Sequence, residues 1–155
     1  GLMIAPDGSA KVLEFNCRFG DPETQPIMLR LQSDLVELCL AALKGDLDNT
    51  TANWDSRASV GVVLAAGGYP EAYNKGDIIS GLPTSEIAGE KVFHAGTTIK
   101  DGNTVTNGGR VLCATALGDS VLEAQQRAYQ LAQKISWNGI FYRTDIAYRA
   151  IAREQ

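Results

Sequence analysis

Hydrophobic and polar residues at the start of the chain follow the pattern of a β-hairpin. Residues 2–5 are apolar, residues 6–9 (Pro-Asp-Gly-Ser) are typical of a turn, and residues 10–16 form a return strand with alternating side chains. A two-stranded ribbon alone is only marginally stable. We therefore expect this segment to have been cut from, or to dock onto, something larger.

A helical period follows in the next segment. We predict a helix capped by Ser33 and stopped by Gly45, because a hydroxyl side chain favours a helix start and glycine favours a helix end. Its apolar positions, spaced three or four residues apart, are Leu35, Leu38, Cys39, Ala42 and Leu43. Residues 45–57 are polar and aperiodic, which predicts a linker and a boundary between regions 1–50 and 51–155.

The second region has the pattern of a small, mostly antiparallel sheet. The apolar, valine-rich run at residues 58–66 predicts a buried strand, and shorter strands are expected at 92–95 and 110–116. Glycine- and asparagine-rich turn signals lie between the strands, at residues 67–70, 74–77, 100–103 and 106–109.

A long helix is predicted after this sheet. Either Asp119 or Ser120 can cap it, and the helical period continues to about residue 136. The apolar positions on one face are Val121, Ala124, Ala128, Leu131, Ala132 and Ile135. A stripe of this composition is typical of a face packed in the core, and we do not read it as a cofactor site.

Composition indicates an ordinary soluble domain. The chain has 155 residues, 45% of them hydrophobic, a net charge of −4 and a pI near 4.9. An acidic chain is a poor partner for nucleic acids or anionic membranes, and no apolar run of about 18 residues is present to span a bilayer. The odd number of cysteines, without CxxC spacing, predicts reduced thiols in a cytoplasmic protein, and the single histidine makes a zinc site improbable.

The most informative segment is residues 14–25, where ionisable side chains crowd between a strand and a helix. Strand alternation places Glu14 and Asn16 on one face, about 6–7 Å apart along the strand. Two such oxygen ligands can hold Mg²⁺ together with phosphates and water. The alternative is an ordinary solvated strand face, and the spacing alone does not decide between them.

Three further side chains of this segment have two interpretations each. Asp21 before Pro22 suits a helix N-cap with proline at the first helical position, and Glu23 would then lie in the first turn, so capping is as plausible for both carboxylates as catalysis. Arg18 is suited to grip a phosphate or carboxylate, and a plain ion pair with Asp21 or Glu23 is its alternative.

The stretch Arg-Phe-Gly-Asp-Pro-Glu-Thr-Gln at residues 18–25 resembles the signature of the glycinamide ribonucleotide synthetase (phosphoribosylamine–glycine ligase) family. Further segments continue the resemblance, at residues 33–38, 93–97, 108–112 and 142–146. It covers nearly the whole chain, but only the C-terminal part of that family's enzymes. It implies an α+β fold: the end of an ATP-grasp domain in residues 1–50, then the family's C-terminal domain, a rudiment single hybrid-like antiparallel unit with a long helix, in residues 51–155.

The resemblance also implies a reaction and a set of residue roles. ATP would phosphorylate the carboxylate of glycine, and the amine of 5-phosphoribosylamine would attack the resulting acyl phosphate, in de novo purine biosynthesis. Glu14 and Asn16 would hold Mg²⁺ or Mn²⁺ on the ATP phosphates, and Arg18 would stabilise the transferring phosphoryl group. Asp21 and Glu23 would bind the substrate amine. The implied enzyme is a monomer whose N-terminal domains are partners of this segment.

The segments that carry most ATP contacts in that family would lie before residue 1. We therefore expect residues 1–155 alone to be inactive and to bind ATP weakly, although they can fold. The alternatives are another ATP-grasp ligase or carboxylase, which the signature at residues 18–25 disfavours, and a non-catalytic binding module that keeps the metal strand as a relic.

The remaining motifs are predicted to be structural. The glycine pairs at residues 67–68 and 108–109 form neither a GxGxxG motif nor a P-loop, so we interpret them as turns. His94 has no evident catalytic partner and is interpreted as a hydrogen-bonded structural histidine. Residues 142–145 (Tyr-Arg-Thr-Asp) fit a domain interface or a substrate-facing rim, of which we favour the interface.

Overall fold

The computed structural model describes residues 1–154, and its chain starts with a short antiparallel hairpin. Strand β1 (Leu2–Ile4) pairs with β2 (Ala10–Val12), and Gly8 adopts a positive φ of 83° in the turn. The predicted hairpin is confirmed, but its return strand ends at Val12 rather than at residue 16. Every side chain of both strands is exposed, so the hairpin buries no core of its own.

Two helices follow the hairpin, α1 (Thr24–Arg30) and α2 (Leu35–Lys44). The predicted cap of α2 is wrong by one residue: the Asp34 carboxylate accepts a hydrogen bond of 2.7 Å from the Val36 amide, while the Ser33 hydroxyl accepts one of 2.8 Å from the Asn53 amide. Gly45 ends α2 with a left-handed φ of 72°, as predicted, because only glycine adopts this conformation without strain.

The second region contains a three-stranded antiparallel sheet and a separate hairpin. The sheet has the order β3 (Ala58–Ala65), β7 (Arg110–Gly118), β4 (Glu90–His94). The hairpin joins β5 (Thr97–Lys100) to β6 (Asn103–Thr106), and the two turn residues between them both have positive φ angles. The predicted antiparallel pairing is confirmed, and together with the four helices it gives the expected α+β class.

One predicted turn is wrong. Residues 74–77 do not reverse the chain but run extended beside β6, where the Gly76 amide donates to the Thr106 carbonyl at 2.7 Å and the Thr106 amide donates to the Asp77 carbonyl at 2.9 Å. The glycine in this segment allows a φ of 93°, which bends the extended backbone without turning it.

Helix α3 (Val121–Gln133) covers one face of the three-stranded sheet. Its N-cap is Ser120, whose hydroxyl accepts from the Glu123 amide at 3.1 Å, so one of the two predicted caps is confirmed. The predicted stripe faces the core: Ala124, Ala128, Leu131 and Ala132 are buried against the apolar side chains of β3 and β7. The buried side chains of α3, β3 and β7 belong to one hydrophobic cluster, which forms the core.

Helix α1 packs on the opposite face of the same sheet. Pro26 lies against Gly61 in β3, where an added Cβ atom would come within 3.2 Å of the proline ring and 3.0 Å of the Cys113 sulfur. The absence of a side chain at Gly61 therefore allows α1 to approach the sheet. Because α1 begins within the signature at residues 18–25, this contact ties the signature to the core of the second region.

The connection between α2 and β3 is fixed by polar contacts. The Asp55 amide donates to the Arg30 carbonyl at 2.8 Å, and the Arg30 guanidinium donates to the Asp55 carbonyl at 2.9 and 3.1 Å. The Asp55 carboxylate accepts from the Arg57 guanidinium at 2.7 and 3.0 Å and from the Arg57 amide at 2.9 Å, and these hydrogen bonds from Arg57 lower the pKa of Asp55 to about 2. The predicted domain boundary at residue 50 stays a prediction.

A short C-terminal helix, which the sequence did not predict, docks on α3. Helix α4 (Tyr148–Glu154) follows Ala147, a non-glycine residue with a left-handed φ of 67°. The Glu154 carboxylate accepts from the Val121 amide at 3.0 Å and so occupies the N-terminus of α3, where the helix dipole favours a negative charge. None of the helices in residues 1–154 is long and apolar enough to cross a membrane.

We expect Ala147→Gly to stabilise the protein by about 1 kcal/mol, because an L-residue in the left-handed region costs about 1–2 kcal/mol and glycine adopts it freely. Thermal unfolding followed by circular dichroism should show a melting temperature about 2–4 °C higher. The control is Ala150→Gly within α4, which should lower stability by about 0.5–1 kcal/mol. If both substitutions lowered the stability by the same amount, the left-handed backbone at Ala147 would not be strained.

Candidate functional site

Three polar side chains after β2 form one hydrogen-bonded row. The Asn16 amide donates to the Glu14 carboxylate at 3.3 Å, and the Arg18 guanidinium donates to the Asn16 side-chain oxygen. All three residues are exposed. The sequence predicted that Glu14 and Asn16 would be neighbours, but the segment lies beyond the end of β2, and the contact of Arg18 with Asn16 was not predicted. The row therefore presents a carboxylate, an amide and a cation side by side to solvent.

Asp21 does not cap a helix, and this part of the prediction is wrong. Helix α1 begins at Thr24, its N-cap position is Glu23, and no side chain caps it. The Asp21 carboxylate instead forms an ion pair of 2.9 Å with Arg110, the first residue of β7. A long-range partner has therefore replaced the local capping contact that the Asp-Pro pattern favoured.

Gly20 lies buried beneath the side chain of Glu23. A Cβ atom at Gly20 would collide with the Glu23 carboxylate, so a residue without a side chain is needed there. The Gly20 carbonyl accepts from both the Thr24 hydroxyl, at 2.5 Å, and the Thr24 amide, at 3.1 Å. These contacts fold residues 20–24 into a compact turn that leaves the carboxylates of Asp21 and Glu23 exposed.

The donor set of Glu14 and Asn16 suits a hard cation. Each side chain carries an oxygen donor and both are exposed. Their contact is made by Nδ2 of Asn16, while Oδ1 of Asn16 accepts from Arg18, so the Asn16 amide would have to turn to share a cation with Glu14. Mg²⁺ commonly takes one or two protein oxygens and completes its shell with phosphates and water. Within residues 1–154 there is no cluster of three or more His, Cys, Asp or Glu side chains that could enclose a metal. The metal role of Glu14 and Asn16 stays a prediction.

Sequence reasoning missed two side chains at the signature, Arg110 and Tyr69. Residue 110 was predicted to start a strand and lies in one of the segments that resemble the family, and residue 69 was predicted to lie in a turn, but neither was given a role at the site. The ring of Tyr69 lies 5.9 Å from the guanidinium carbon of Arg110, which in turn reaches Asp21. An arginine at the head of an otherwise apolar strand was the available signal, since such a charge needs a partner.

The motifs interpreted as structural have structural contacts. The two ends of the loop at residues 96–108 touch through backbone, because a Cβ atom at Gly96 would lie 2.6 Å from the Gly108 Cα atom. Gly67 approaches the Gly139 carbonyl in the same way. The imidazole of His94 is hydrogen-bonded to the Thr97 hydroxyl at 3.0 Å, in agreement with a structural histidine.

Residues 142–145 form a local network beside α3. Arg143 and Asp145 are paired at 2.7 and 2.8 Å, which raises the pKa of the arginine and lowers that of the aspartate. The Tyr129 hydroxyl donates to the Arg143 carbonyl at 2.7 Å. Whether this segment also contacts another domain stays a prediction.

A cavity of about 790 Å³ lies beside the edge strand β4. Residues 82–92 form most of its wall, with Leu29, His94 and Leu131 completing it. None of the five predicted site residues lines this cavity. The candidate site therefore rests on the exposed signature surface rather than on an enclosed pocket.

Comparisons with known proteins give consistent matches along the chain. Residues 59–149 match the family model described as phosphoribosylglycinamide synthetase, C domain. The chain is similar to the phosphoribosylamine–glycine ligase of Vibrio parahaemolyticus, with 73% identity over all 155 residues, which cover 36% of that relative. The Escherichia coli ligase is 65% identical over the whole chain, again with 36% of its length covered. The chain thus spans about a third of the length of these curated relatives.

A solved structure has the same fold. The crystal structure of the phosphoribosylamine–glycine ligase from Thermotoga maritima superimposes with a TM-score of 0.72 and 39% sequence identity. The match covers 94% of this chain and 35% of that one.

Proposed function

Because the chain belongs to the phosphoribosylglycinamide synthetase C-domain family, we propose that it is the C-terminal part of a phosphoribosylamine–glycine ligase. In the proposed reaction, the glycine carboxylate takes the γ-phosphoryl group of ATP. The amine of 5-phosphoribosylamine then attacks the acyl phosphate, giving glycinamide ribonucleotide, ADP and phosphate. The observation that carries the proposal is the 73% identity to the Vibrio parahaemolyticus ligase, which covers the whole chain, including the signature.

The row of Glu14, Asn16 and Arg18 would serve phosphoryl transfer. Glu14 and Asn16 would hold Mg²⁺ or Mn²⁺, which when bound would neutralise charge on the ATP phosphates. Arg18, which lies at the end of the same row, would place its guanidinium on the transferring phosphoryl group or on the acyl phosphate. Phosphoryl transfer depends chiefly on alignment and charge neutralisation, and exposed side chains held in one row can supply both.

The turn at residues 20–24 would serve the amine-bearing substrate. Asp21 and Glu23 are exposed carboxylates close to the row, and an ammonium group is their natural ligand. Binding there would orient the amine without covalent participation by the protein.

The exposed apolar surface of the hairpin and signature supports a larger enzyme. Its side chains are between 49% and 85% exposed, and they are Leu2, Met3, Ile4, Val12, Leu13, Phe15 and Phe19. An apolar surface of this kind usually marks a contact with protein. We propose that the N-terminal domains of the ligase cover it and supply the remaining ATP contacts. That the enzyme is a monomer stays a prediction.

The test compares the 155-residue chain with the full-length ligase. Full-length protein should release ADP only when both glycine and 5-phosphoribosylamine are present, while the chain alone should release none, because it offers only the signature part of the site. Reactions lacking one substrate provide the control. Failure of the full-length protein to release glycine-dependent ADP would overturn the ligase assignment, and ADP release by the chain alone would overturn its dependence on other domains.

A further inference from the structure

The side chain of Arg110 links the signature to the core of the second region. Its Nη2 atom lies 2.9 Å from Oδ2 of Asp21. The two residues are far apart in sequence, and each belongs to a different predicted region of the chain. The contact therefore joins a proposed substrate ligand to the central strand of the sheet.

The backbone of Arg110 is held on two sides. It starts β7 opposite Ala65 of β3, and its carbonyl accepts from the Gly96 amide at 2.9 Å. The preceding carbonyl, of Gly109, accepts from the Ala66 amide at 2.8 Å. Because these partners belong to a hydrogen-bonded ladder and its adjoining loop, the Cα position of Arg110 is fixed relative to the core.

The guanidinium of Arg110 is also in contact with an aromatic ring, that of Tyr69. The Tyr69 ring lies 5.9 Å from the guanidinium carbon and covers Gly109, where a Cβ atom would collide with the ring. Tyr69 in turn contacts Tyr73, with ring centroids 6.1 Å apart, and Tyr73 packs against the core. A cation between an aromatic face and a carboxylate has a restricted set of orientations.

An ordinary surface ion pair is the alternative to a role in function, since both side chains are partly exposed, Arg110 to 41% and Asp21 to 56%. Two observations favour more than that. Arg110 engages Oδ2 of Asp21, and in the described residues no hydrogen bond is made to Oδ1, so this second oxygen of a half-exposed carboxylate is open to solvent and accessible to a ligand. In addition, Asp21 is part of the turn at residues 20–24, so holding its carboxylate also holds that turn.

We propose that Arg110 is a positioning residue for the amine-bearing substrate. It fixes the Asp21 carboxylate with one oxygen engaged and the other presented to the ammonium or amine of glycine or 5-phosphoribosylamine. Arg110 itself does not touch the substrate. This inference rests on the proposed function, and it extends the site from the signature to the head of β7 and to Tyr69.

The experiment uses the full-length ligase with Arg110→Ala, Arg110→Lys, Asp21→Ala and the double variant Asp21→Ala/Arg110→Ala. Arg110→Ala should raise the KM of glycine or of 5-phosphoribosylamine about tenfold, while the KM of ATP should stay within about twofold. Arg110→Lys, which keeps a cation near Asp21, should recover most of that loss. The double variant should be no worse than Asp21→Ala, because Arg110 acts through Asp21. Arg149→Ala, a surface arginine stacked on Tyr148, is the control and should leave all constants unchanged.

A second measurement reports on the contact without using activity. Hydrogen exchange of the full-length protein should become about fivefold faster in residues 20–24 of Arg110→Ala, with the rates of residues 112–117 in β7 unchanged. An unchanged rate in residues 20–24 would overturn the proposal, as would a KM for both amine-bearing substrates that does not move, or effects of the two single substitutions that multiply in the double variant. Absence of glycine-dependent ADP release in the unaltered enzyme would overturn the proposed function instead.

Discussion

Replacing Glu14 by glutamine is expected to lower the turnover of the full-length ligase by about 100-fold and to leave its melting temperature unchanged. The substitution removes the one negative charge of the proposed metal pair while keeping the shape of the side chain. Loss of a group that stabilises charge in the transition state commonly costs about 100- to 1,000-fold in rate. Asn16 alone, a neutral oxygen donor, would hold the cation more weakly.

Stability should be insensitive to the same substitution. Glu14 is exposed, and the only side chain that donates to its carboxylate in the described residues is Asn16, at 3.3 Å. The glutamine carbonyl can accept that hydrogen bond equally well, so no buried group loses a partner. A substitution with a large effect on rate and none on folding distinguishes a functional carboxylate from a structural one.

The measurement is steady-state ADP release at saturating substrates over a series of Mg²⁺ concentrations. Glu14→Gln should need more Mg²⁺ for half-maximal rate, because the site that holds the cation is weakened. The matched control is Glu71→Gln, an exposed glutamate outside the signature, which should leave turnover and Mg²⁺ dependence unchanged. Turnover of Glu14→Gln within about twofold of the unaltered enzyme would remove Glu14 from the metal role.

Replacing Arg127 by alanine is expected to destabilise the 155-residue protein by about 3 kcal/mol. Arg127 extends from α3 and donates to the carbonyls of Leu117 and Ala88, at 2.8 and 2.9 Å, and it pairs with Glu90 at 3.1 Å. Glu90 is only 13% exposed, so truncation would leave a largely buried carboxylate without its partner. Breaking such a pair costs about 3–5 kcal/mol, and partial exposure of Arg127 reduces the figure toward the lower end.

Urea and thermal unfolding would measure this loss. A change of 3 kcal/mol corresponds to a fall in melting temperature of about 6–12 °C for a domain of this size. The stability of Arg127→Lys should lie between that of Arg127→Ala and that of the unaltered protein. Lysine keeps a positive charge for Glu90, but it cannot donate to three acceptors at once as the arginine fork does. Arg149→Ala, at the surface, should stay within about 0.5 kcal/mol of the unaltered protein. A loss below about 1 kcal/mol in Arg127→Ala would show that water replaces the lost donors.

Elements with a clear hydrophobic period could be predicted from the sequence. Strand β3 and helix α3 carry regular apolar patterns that face the core, and α2 carries a helical period with an Asp34 cap and a Gly45 stop although it buries no residue. The positions of all three were right to within a few residues. Helix α4 was not predicted, because it is short and follows a left-handed alanine instead of a recognisable cap. The extended segment at residues 74–77 was mistaken for a turn, since its glycine is used to bend a strand-like path beside β6.

At the candidate site, only local contacts could be predicted, and the roles of the residues stay predictions. The contact between Glu14 and Asn16 was predicted from their spacing of two residues, although the strand itself ends at Val12, and the contact of Arg18 with Asn16 was not predicted. The partner of Asp21 could not be found in this way, because Arg110 meets it only after the sheet and the signature turn have packed together. Local chemistry favoured an N-cap, and a tertiary contact took its place.

The contact between Pro26 and Gly61 has a consequence for how substitutions in this chain are interpreted. A side chain at Gly61 would push α1 away from the sheet, and the signature turn would move with it. For the proposed ligase, a genetic screen for growth without added purines would therefore score Gly61 as a catalytic position, although its neighbours are Pro26 and Cys113 and it is not one of the proposed site residues. In such a screen, residues that hold the signature in place, such as Gly61, would be as sensitive to substitution as the residues of the signature.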